Sequence, residues 1–221
     1  MLRRAALAAA LAGAALALGA AAPALAAPVA PPLPSGWPRT LSLGLTDPPG
    51  HAAALRRRTR VAFRYQYLAG GLTTGSGWAT WNPDGTFASR YAAESARAGA
   101  IPIFTYYQLQ QSAPGTGAAE DVAIRRNLQS VATMRLFYRD LELLFRRVAS
   151  RRTPVVVHVE PDLWGYVQQA SRGDDAATVP ARVGSTGVLG LAGLPETAAG
   201  VAHAIVRLRD RLAPRVILGM H

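Results

Sequence analysis

Short apolar segments alternate with amphipathic helical segments along most of the chain, and this alternation restricts the possible folds more than any other feature. The apolar segments are bounded by Gly and Pro and are rich in β-branched and aromatic residues, as is typical of buried strands. They cover residues 41–45, 61–68, 101–107, 155–159 and 215–220. Helices are predicted over 52–60, 86–98, 128–150 and 196–213, most clearly where apolar residues recur at spacings of three and four. Regular strand–helix succession predicts an α/β fold with a parallel sheet.

Two α/β architectures fit this succession, a doubly wound open sheet and a (β/α) TIM-type barrel. A dinucleotide-binding open sheet would carry G-x-G-x-x-G after its first strand, and the segment LGLTDPPGH does not. Polar and aromatic residues follow several strands, as they do around the mouth of a barrel. We therefore predict a barrel. Because about five strand–helix units are visible and a full barrel takes about 250 residues, we expect it to be incomplete and truncated on its C-terminal side.

The N-terminus has the pattern of a secretory signal peptide. Two arginines precede an apolar, alanine-rich run that ends in Ala24-Leu25-Ala26. A membrane anchor is the alternative, but the weakly apolar run and the prolines after it favour cleavage after Ala26. We therefore expect a signal peptide at 1–26, a Pro-rich disordered lead-in at 27–38 and a barrel domain at 39–221. The protein would be secreted, extracellular or periplasmic, with no membrane attachment after cleavage.

The formal net charge of +11 comes with arginine as the basic residue throughout, because lysine is absent. No aromatic–basic platform accompanies the arginines, so nucleic-acid binding is not expected. Attachment to other anionic polymers through the arginines is a weaker hypothesis. Four scattered histidines and no cysteine argue against a metal site, and no cofactor motif is present. The oligomeric state is not indicated.

The segment VVVHVEPDLWGY, residues 155–166, carries the main functional signal. Side chains alternate along a strand, so Val155, Val157 and Val159 would face the helices, whereas Val156 and His158 would face the barrel axis. Glu160 would then lie at the rim and Asp162 just beyond it. A carboxylate near an apolar core is costly unless it is paired, hydrogen-bonded or hydrated.

Glu160 and Asp162 are therefore the candidate catalytic residues. Glycoside hydrolysis uses two carboxyl groups, and residues two apart on a strand are roughly 6.6 Å apart. The structural alternatives are that Glu160 binds an arginine or tyrosine inside the barrel and that Asp162 caps the helix starting near Leu163.

Aromatic and polar side chains near the predicted strand ends are candidate substrate-binding residues. Sugars stack their C–H faces on aromatic rings, so rings beside carboxylates suit a carbohydrate cleft. The candidates are Tyr65, Tyr67, Trp78, Trp81, Tyr106, Gln108, His158 and Trp164.

The stretch VVVHVEPDLWG resembles the Ile-Glu-Pro-Asp strand of family 6 glycoside hydrolases, which are secreted barrels acting on β-1,4-glucans. It also resembles the barrel glycosidases whose Asn-Glu-Pro motif ends strand four, with Val159 at the asparagine position. The first resemblance implies that Glu160 and Asp162 line a sugar subsite, and the second implies that Glu160 is the proton donor. Glu120 and Asp121 are the nearest other carboxylates, and they match no part of the family 6 pattern.

These inferences predict a secreted glycoside-hydrolase-like protein that acts on a polysaccharide or oligosaccharide by carboxylate acid/base catalysis. The alternative is a non-catalytic exported carbohydrate-binding barrel, which would need no second catalytic carboxylate.

Overall fold

The predicted strands form one parallel sheet. The computed structural model describes residues 32–149 and 153–220. Within these two ranges, five strands lie side by side in chain order, each parallel to the next. They are β1 (Gly44–Thr46), β2 (Phe63–Ala69), β3 (Ile101–Tyr107), β4 (Val155–Val159) and β5 (Val216–Gly219). The prediction of a parallel α/β sheet is confirmed, although β1 is shorter and later than expected.

Seven α-helices accompany the strands in the part of the chain that the structure describes. They are α1 (Ala52–Arg58), α2 (Trp78–Trp81), α3 (Thr86–Arg97), α4 (Glu120–Leu128), α5 (Val131–Val148), α6 (Leu163–Ala170) and α7 (Ala198–Leu212). The predicted helix at 128–150 starts later, at Val131, because the Ser130 hydroxyl caps it by accepting the Thr133 amide. Across the described part of the chain, no helix has both the length and the apolar character needed to cross a bilayer.

The two faces of the sheet follow the alternation of side chains predicted from the sequence. Val155, Val157 and Val159 belong to the main apolar core, which also contains the inward stripe of α5. That stripe is buried at each of its predicted positions, Met134, Phe137, Tyr138, Leu141, Leu144, Phe145 and Val148. Val156 and His158 lie on the opposite side of β4, in register with Ile103 and Thr105 of β3. We call the side carrying Tyr65, Ile103, Thr105, Val156 and His158 the open face.

The chain order of the strands is consistent with part of a (β/α) fold. Crossovers between parallel strands are almost always right-handed, so consecutive neighbours place their connecting helices on the same side of the sheet. A doubly wound sheet instead reverses its strand order at a switch point, and the described strands show no reversal. Their carboxyl ends therefore share one edge, which is the edge that positions the candidate site.

The predicted N-terminal segments lie mostly outside the described residues, including the whole of the predicted signal peptide. The end of the predicted lead-in is described, and there the Trp37 amide donates to the Pro34 carbonyl at 3.0 Å. The Trp37 ring packs against Phe63 with 5.1 Å between ring centroids. This contact ties the segment to β2, so the folded domain begins before residue 39.

A buried arginine fixes the first loop to the sheet. Arg64 of β2 is 1% exposed, and its Nε donates to Asp47 at 2.7 Å. Its other nitrogens donate to the Ser95 hydroxyl and the Pro48 carbonyl, and its guanidinium lies 4.5 Å from the centre of the Tyr91 ring. A buried charge is tolerated when it is paired and hydrogen-bonded in this way. Asp47, at the carboxyl end of β1, is therefore used structurally.

The two sides of β4 provide a matched test of the packing. Val157 is fully buried in the core cluster against the helices, whereas Val156, which is 7% exposed, lies on the open face outside that cluster. We expect Val157→Ala to lower the free energy of unfolding by about 2 kcal/mol through lost burial and a residual cavity. Val156→Ala should cost roughly half as much or less. Urea unfolding of both variants measures the difference, and equal losses would show that the open face is packed as tightly as the core.

Candidate functional site

Glu160 forms a sharp turn at the carboxyl end of β4. Its backbone is left-handed, with φ 46°, which is uncommon for a non-glycine residue, and a residue before proline is normally extended. Its amide still donates to the Tyr106 carbonyl at 2.7 Å. The turn directs the carboxylate towards the loop after β3, where Oε1 accepts the amides of Gln108 at 2.7 Å and Leu109 at 3.1 Å.

Burial changes the acidity of this carboxyl group. Glu160 is 0% exposed, and burial raises its pKa from near 4.5 to about 8. The two amide hydrogen bonds oppose the rise, and the negative charge of Asp162 adds to it. Within the described residues its second oxygen, Oε2, has no hydrogen-bond partner. The side chain is therefore largely protonated at neutral pH.

Gln108 extends this arrangement to the loop after β2. Its side chain is buried, with Oε1 accepting the Gly71 amide at 2.8 Å and Nε2 donating to the Leu68 carbonyl at 3.0 Å. Gly70 and Gly71 have positive φ, and a side chain at Gly70 would collide with the Ser76 carbonyl. Three successive strand ends are thus joined through one glutamate and one glutamine.

The expected exposure of Glu160 is wrong. The sequence predicted a carboxylate at a water-reachable rim, but the left-handed turn carries it beneath the β3 loop, out of contact with solvent. The structural alternative predicted an arginine or tyrosine partner, whereas two backbone amides hold the carboxylate. A side chain without accessible surface cannot touch a substrate in this conformation.

Asp162 does reach the surface. It occupies the N-cap position of α6, as the structural alternative predicted, but its side chain makes no capping hydrogen bond. Its negative charge helps to raise the pKa of the nearby Tyr107 phenol. A groove of about 280 Å³ is lined by Pro161, Asp162, Gly165, Tyr166 and Gln169.

Glu120 joins Asp162 from another element. It is the first residue of α4, and its Oε1 accepts the Tyr107 hydroxyl while its Oε2 accepts the Tyr166 hydroxyl at 3.1 Å. We call Tyr107, Glu120, Asp162 and Tyr166 the carboxylate cluster. The Tyr107 hydroxyl also lies 2.8 Å from Gln110 Oε1. Two acidic side chains, one on α4 and one at the start of α6, thus act on one phenol, Glu120 through a hydrogen bond and Asp162 through its charge.

The phenols respond to the surrounding negative charge. Burial raises the pKa of Tyr107 far above its usual value near 10, and the hydrogen bond to Glu120 and the negative charges of Glu120 and Asp162 add to the rise. The pKa of Tyr166 is raised mainly by its hydrogen bond to Glu120. Both phenols therefore stay protonated at neutral pH and act as hydrogen-bond donors to the Glu120 carboxylate.

Sequence reasoning found Asp162 but missed the rest of this cluster. Glu120 was noted as a nearby carboxylate without a role, and Tyr107 and Tyr166 were not selected as site residues. One signal was available, because Glu120 opens a helix that follows the carboxyl end of a predicted strand. Its pairing with Tyr166 depends on how α4 and α6 pack, which local sequence does not report.

Five of the predicted substrate-binding residues retain exposed surface, and three of them lie on or beside the open face. Tyr65 and the 56% exposed Tyr67 are neighbouring rings 6.1 Å apart beside the open face, and His158 is half-buried on that face. Trp164 is half-buried and donates to the Val159 carbonyl at 3.1 Å. Trp81 is exposed and packs edge-on against Phe87.

Three predicted binding residues are buried instead. Tyr106 shares the helix-covered side of β3 with Phe104, as strand alternation requires, and Trp78 is drawn into the core, where its ring nitrogen donates to Asp140. Gln108 is held by backbone groups. Their expected place in an exposed cleft is therefore wrong, because the Tyr106 and Trp78 rings pack in the core and both hydrogen-bond partners of the Gln108 side chain are backbone groups inside the fold.

Comparisons with other proteins add no family assignment. No protein family, curated protein or solved structure matches the chain significantly. Among the described residues, no group of three or more His, Asp or Glu side chains is arranged to hold a metal ion.

The buried Glu160 predicts a specific dependence of stability on pH. Between about pH 4.5 and 8 the folded chain keeps a proton that the unfolded chain releases, so the free energy of unfolding falls as pH rises. The stabilisation that Glu160 contributes is complete below about pH 4.5 and is lost by about pH 8. Glu160→Gln cannot titrate and should flatten the dependence, as measured by urea unfolding across this range. Asp174→Asn, at an exposed site, should keep the wild-type slope; parallel curves for wild type and Glu160→Gln would refute the assignment.

Proposed function

We propose that the protein is an exported glycoside-hydrolase-like enzyme that acts on a polysaccharide or oligosaccharide. The observation that carries the proposal is the convergence of Glu120 and Asp162 on the Tyr107 phenol at the carboxyl edge of the sheet. The proposal keeps Asp162 as a catalytic residue and adds Glu120 as its partner.

Glycosidases use two carboxyl groups, placed about 5–5.5 Å apart for retention and 6.5–9.5 Å apart for inversion. Glu120 and Asp162 come from different elements and both act on the Tyr107 phenol, Glu120 through a hydrogen bond and Asp162 through its negative charge. We take these two carboxylates as the pair that the proposed chemistry needs.

The surroundings suggest how the roles are divided. Asp162 lines the groove and is exposed, so it is the residue placed to protonate a leaving-group oxygen. Glu120 is oriented by two tyrosine hydroxyls and would activate water or attack the sugar. Tyr166, which also lines the groove, offers a ring on which a sugar could stack.

Glu160 is a positioning residue in this proposal. It holds the amides of Gln108 and Leu109, which follow Tyr107 directly, and it precedes Asp162 by two residues. A change at Glu160 would therefore alter catalysis through the placement of Tyr107 and Asp162.

The proposal extends to the fold and to the location of the protein. The five sequential parallel strands are proposed to belong to a (β/α) barrel, whose active site would lie at this carboxyl edge. Export through the N-terminal signal peptide would place the enzyme among extracellular or periplasmic saccharides.

A non-catalytic carbohydrate-binding protein is the second candidate. It is favoured by the tyrosine hydroxyls that already occupy Glu120 and by the exposed Tyr67 ring beside Tyr65. Such a protein would bind a glycan without releasing products.

Variants of the two carboxylates test the proposal. We expect Glu120→Gln and Asp162→Asn each to lower the rate of reducing-end release from a responsive polysaccharide by about 10²–10⁴, the usual contribution of a general acid or base. The measurement is a reducing-sugar assay over a panel of soluble polysaccharides and oligosaccharides.

Asp121→Asn is the matched control. Asp121 is next to Glu120 in α4 but pairs with Arg125 at 2.8 Å on a partly exposed surface, so its loss should leave turnover unchanged. Unchanged turnover in Glu120→Gln and Asp162→Asn would refute the catalytic assignment. Glycan binding without product release from the wild-type chain would select the second candidate, and neither binding nor release would reject both.

A further inference from the structure

A second concave site lies away from the carboxylate cluster, between the loop after β2 and helix α5. It is a pocket of about 230 Å³, smaller than the roughly 300–1,000 Å³ typical of drug-sized ligands. Its wall includes Leu72, Trp78, Leu136, Arg139, Asp140 and Leu143. We call it the Asp140 pocket, and it shares no lining residue with the groove beside Asp162.

Asp140 is a buried carboxylate on the wall of this pocket. It is 9% exposed, and its Oδ2 accepts both the Trp78 ring N–H and the Tyr106 hydroxyl at 2.7 Å. Within residues 32–149 and 153–220, no cation pairs with it. Burying a carboxylate without a counter-ion is costly, so this side chain would gain from a cationic ligand.

The two carboxylate oxygens are used differently. Both described hydrogen bonds go to Oδ2, which leaves Oδ1 as the atom available to a molecule in the pocket. If Asp140 only anchored Trp78 and Tyr106, a neutral amide oxygen could accept the same two hydrogen bonds. The distinction between anchoring and ligand binding therefore depends on the charge of this residue.

The rest of the wall offers the complementary groups. Arg139 lines the same pocket, is exposed, and makes no ion pair within the described residues. Leu136 is 41% exposed although it is apolar, and Leu72 and Leu143 add further apolar surface. A negative group, a positive group and a branched apolar wall thus surround one small volume.

We propose that the Asp140 pocket binds a small zwitterion, an α-amino acid with a branched apolar side chain. Its ammonium group would donate to Asp140 Oδ1, its carboxylate would pair with the Arg139 guanidinium, and its side chain would contact Leu72, Leu136 and Leu143. This site is independent of the proposed glycoside hydrolysis.

Truncated ligands test each half of the zwitterion. Titration calorimetry of the full chain compares L-leucine with 3-methylbutylamine, which lacks the carboxylate, and 4-methylpentanoate, which lacks the ammonium group. L-leucine should bind at least about tenfold more tightly than either analogue, because each analogue leaves one charged partner unpaired. Failure of L-leucine to bind, or binding no tighter than that of the analogues, would overturn the proposal.

Matched variants identify the partner of each charge. Asp140→Asn should weaken L-leucine at least about tenfold while leaving 4-methylpentanoate unchanged, and Arg139→Gln should do the same for L-leucine while leaving 3-methylbutylamine unchanged. Arg146→Gln, an exposed change elsewhere on α5, should bind like wild type. Circular dichroism checks that the Asp140→Asn variant is folded. If that variant does not fold, Arg139→Gln still tests the site, because Arg139 is exposed. Equal affinity in wild type and Arg139→Gln would reject the zwitterion, whatever the outcome of the saccharide assays.

Discussion

The hydrogen bonds from the amides of Gln108 and Leu109 to the Glu160 carboxylate hold the carboxyl edge of the sheet together. They join the end of β4 to the loop after β3, and Gln108 passes the connection on to Leu68 and Gly71 after β2. The left-handed turn at Glu160 costs on the order of 1–2 kcal/mol. It is retained because it brings the carboxylate to two backbone donors that would otherwise be buried without partners.

The carboxylate cluster is placed by this same connection. Tyr107 directly precedes the loop that Glu160 holds, and Asp162 follows the turn that Glu160 makes, so the two residues approach each other from adjacent strands. Glu120 arrives independently at the start of α4 and is oriented by Tyr107 and Tyr166. A buried, largely protonated glutamate thus helps to position two carboxylates, of which Asp162 is exposed and Glu120 is partly buried.

Periodicity in the sequence was enough to predict the strands, their parallel arrangement and the inward stripe of α5, because each depends on a local repeat of apolar residues. It also predicted which valines of β4 face the helices. The side on which Tyr106 lies followed from the same alternation, but its position at a strand end suggested a binding role. The burial of Glu160 could not be read in this way, since it depends on one backbone angle and on amides more than fifty residues away. The contact between Glu120 and Tyr166 likewise depends on the packing of two helices.

The chain order of the strands has a consequence for how the domain can assemble. Each strand pairs with the strand that precedes it in the chain, so the sheet can grow from its N-terminal end without waiting for a distant segment. Pairing between successive units keeps contact order lower than in sheets whose neighbours are remote in sequence, which favours fast folding. A polypeptide emerging N-terminus first, from a ribosome or a translocation channel, could therefore add one strand–helix unit at a time to an existing edge.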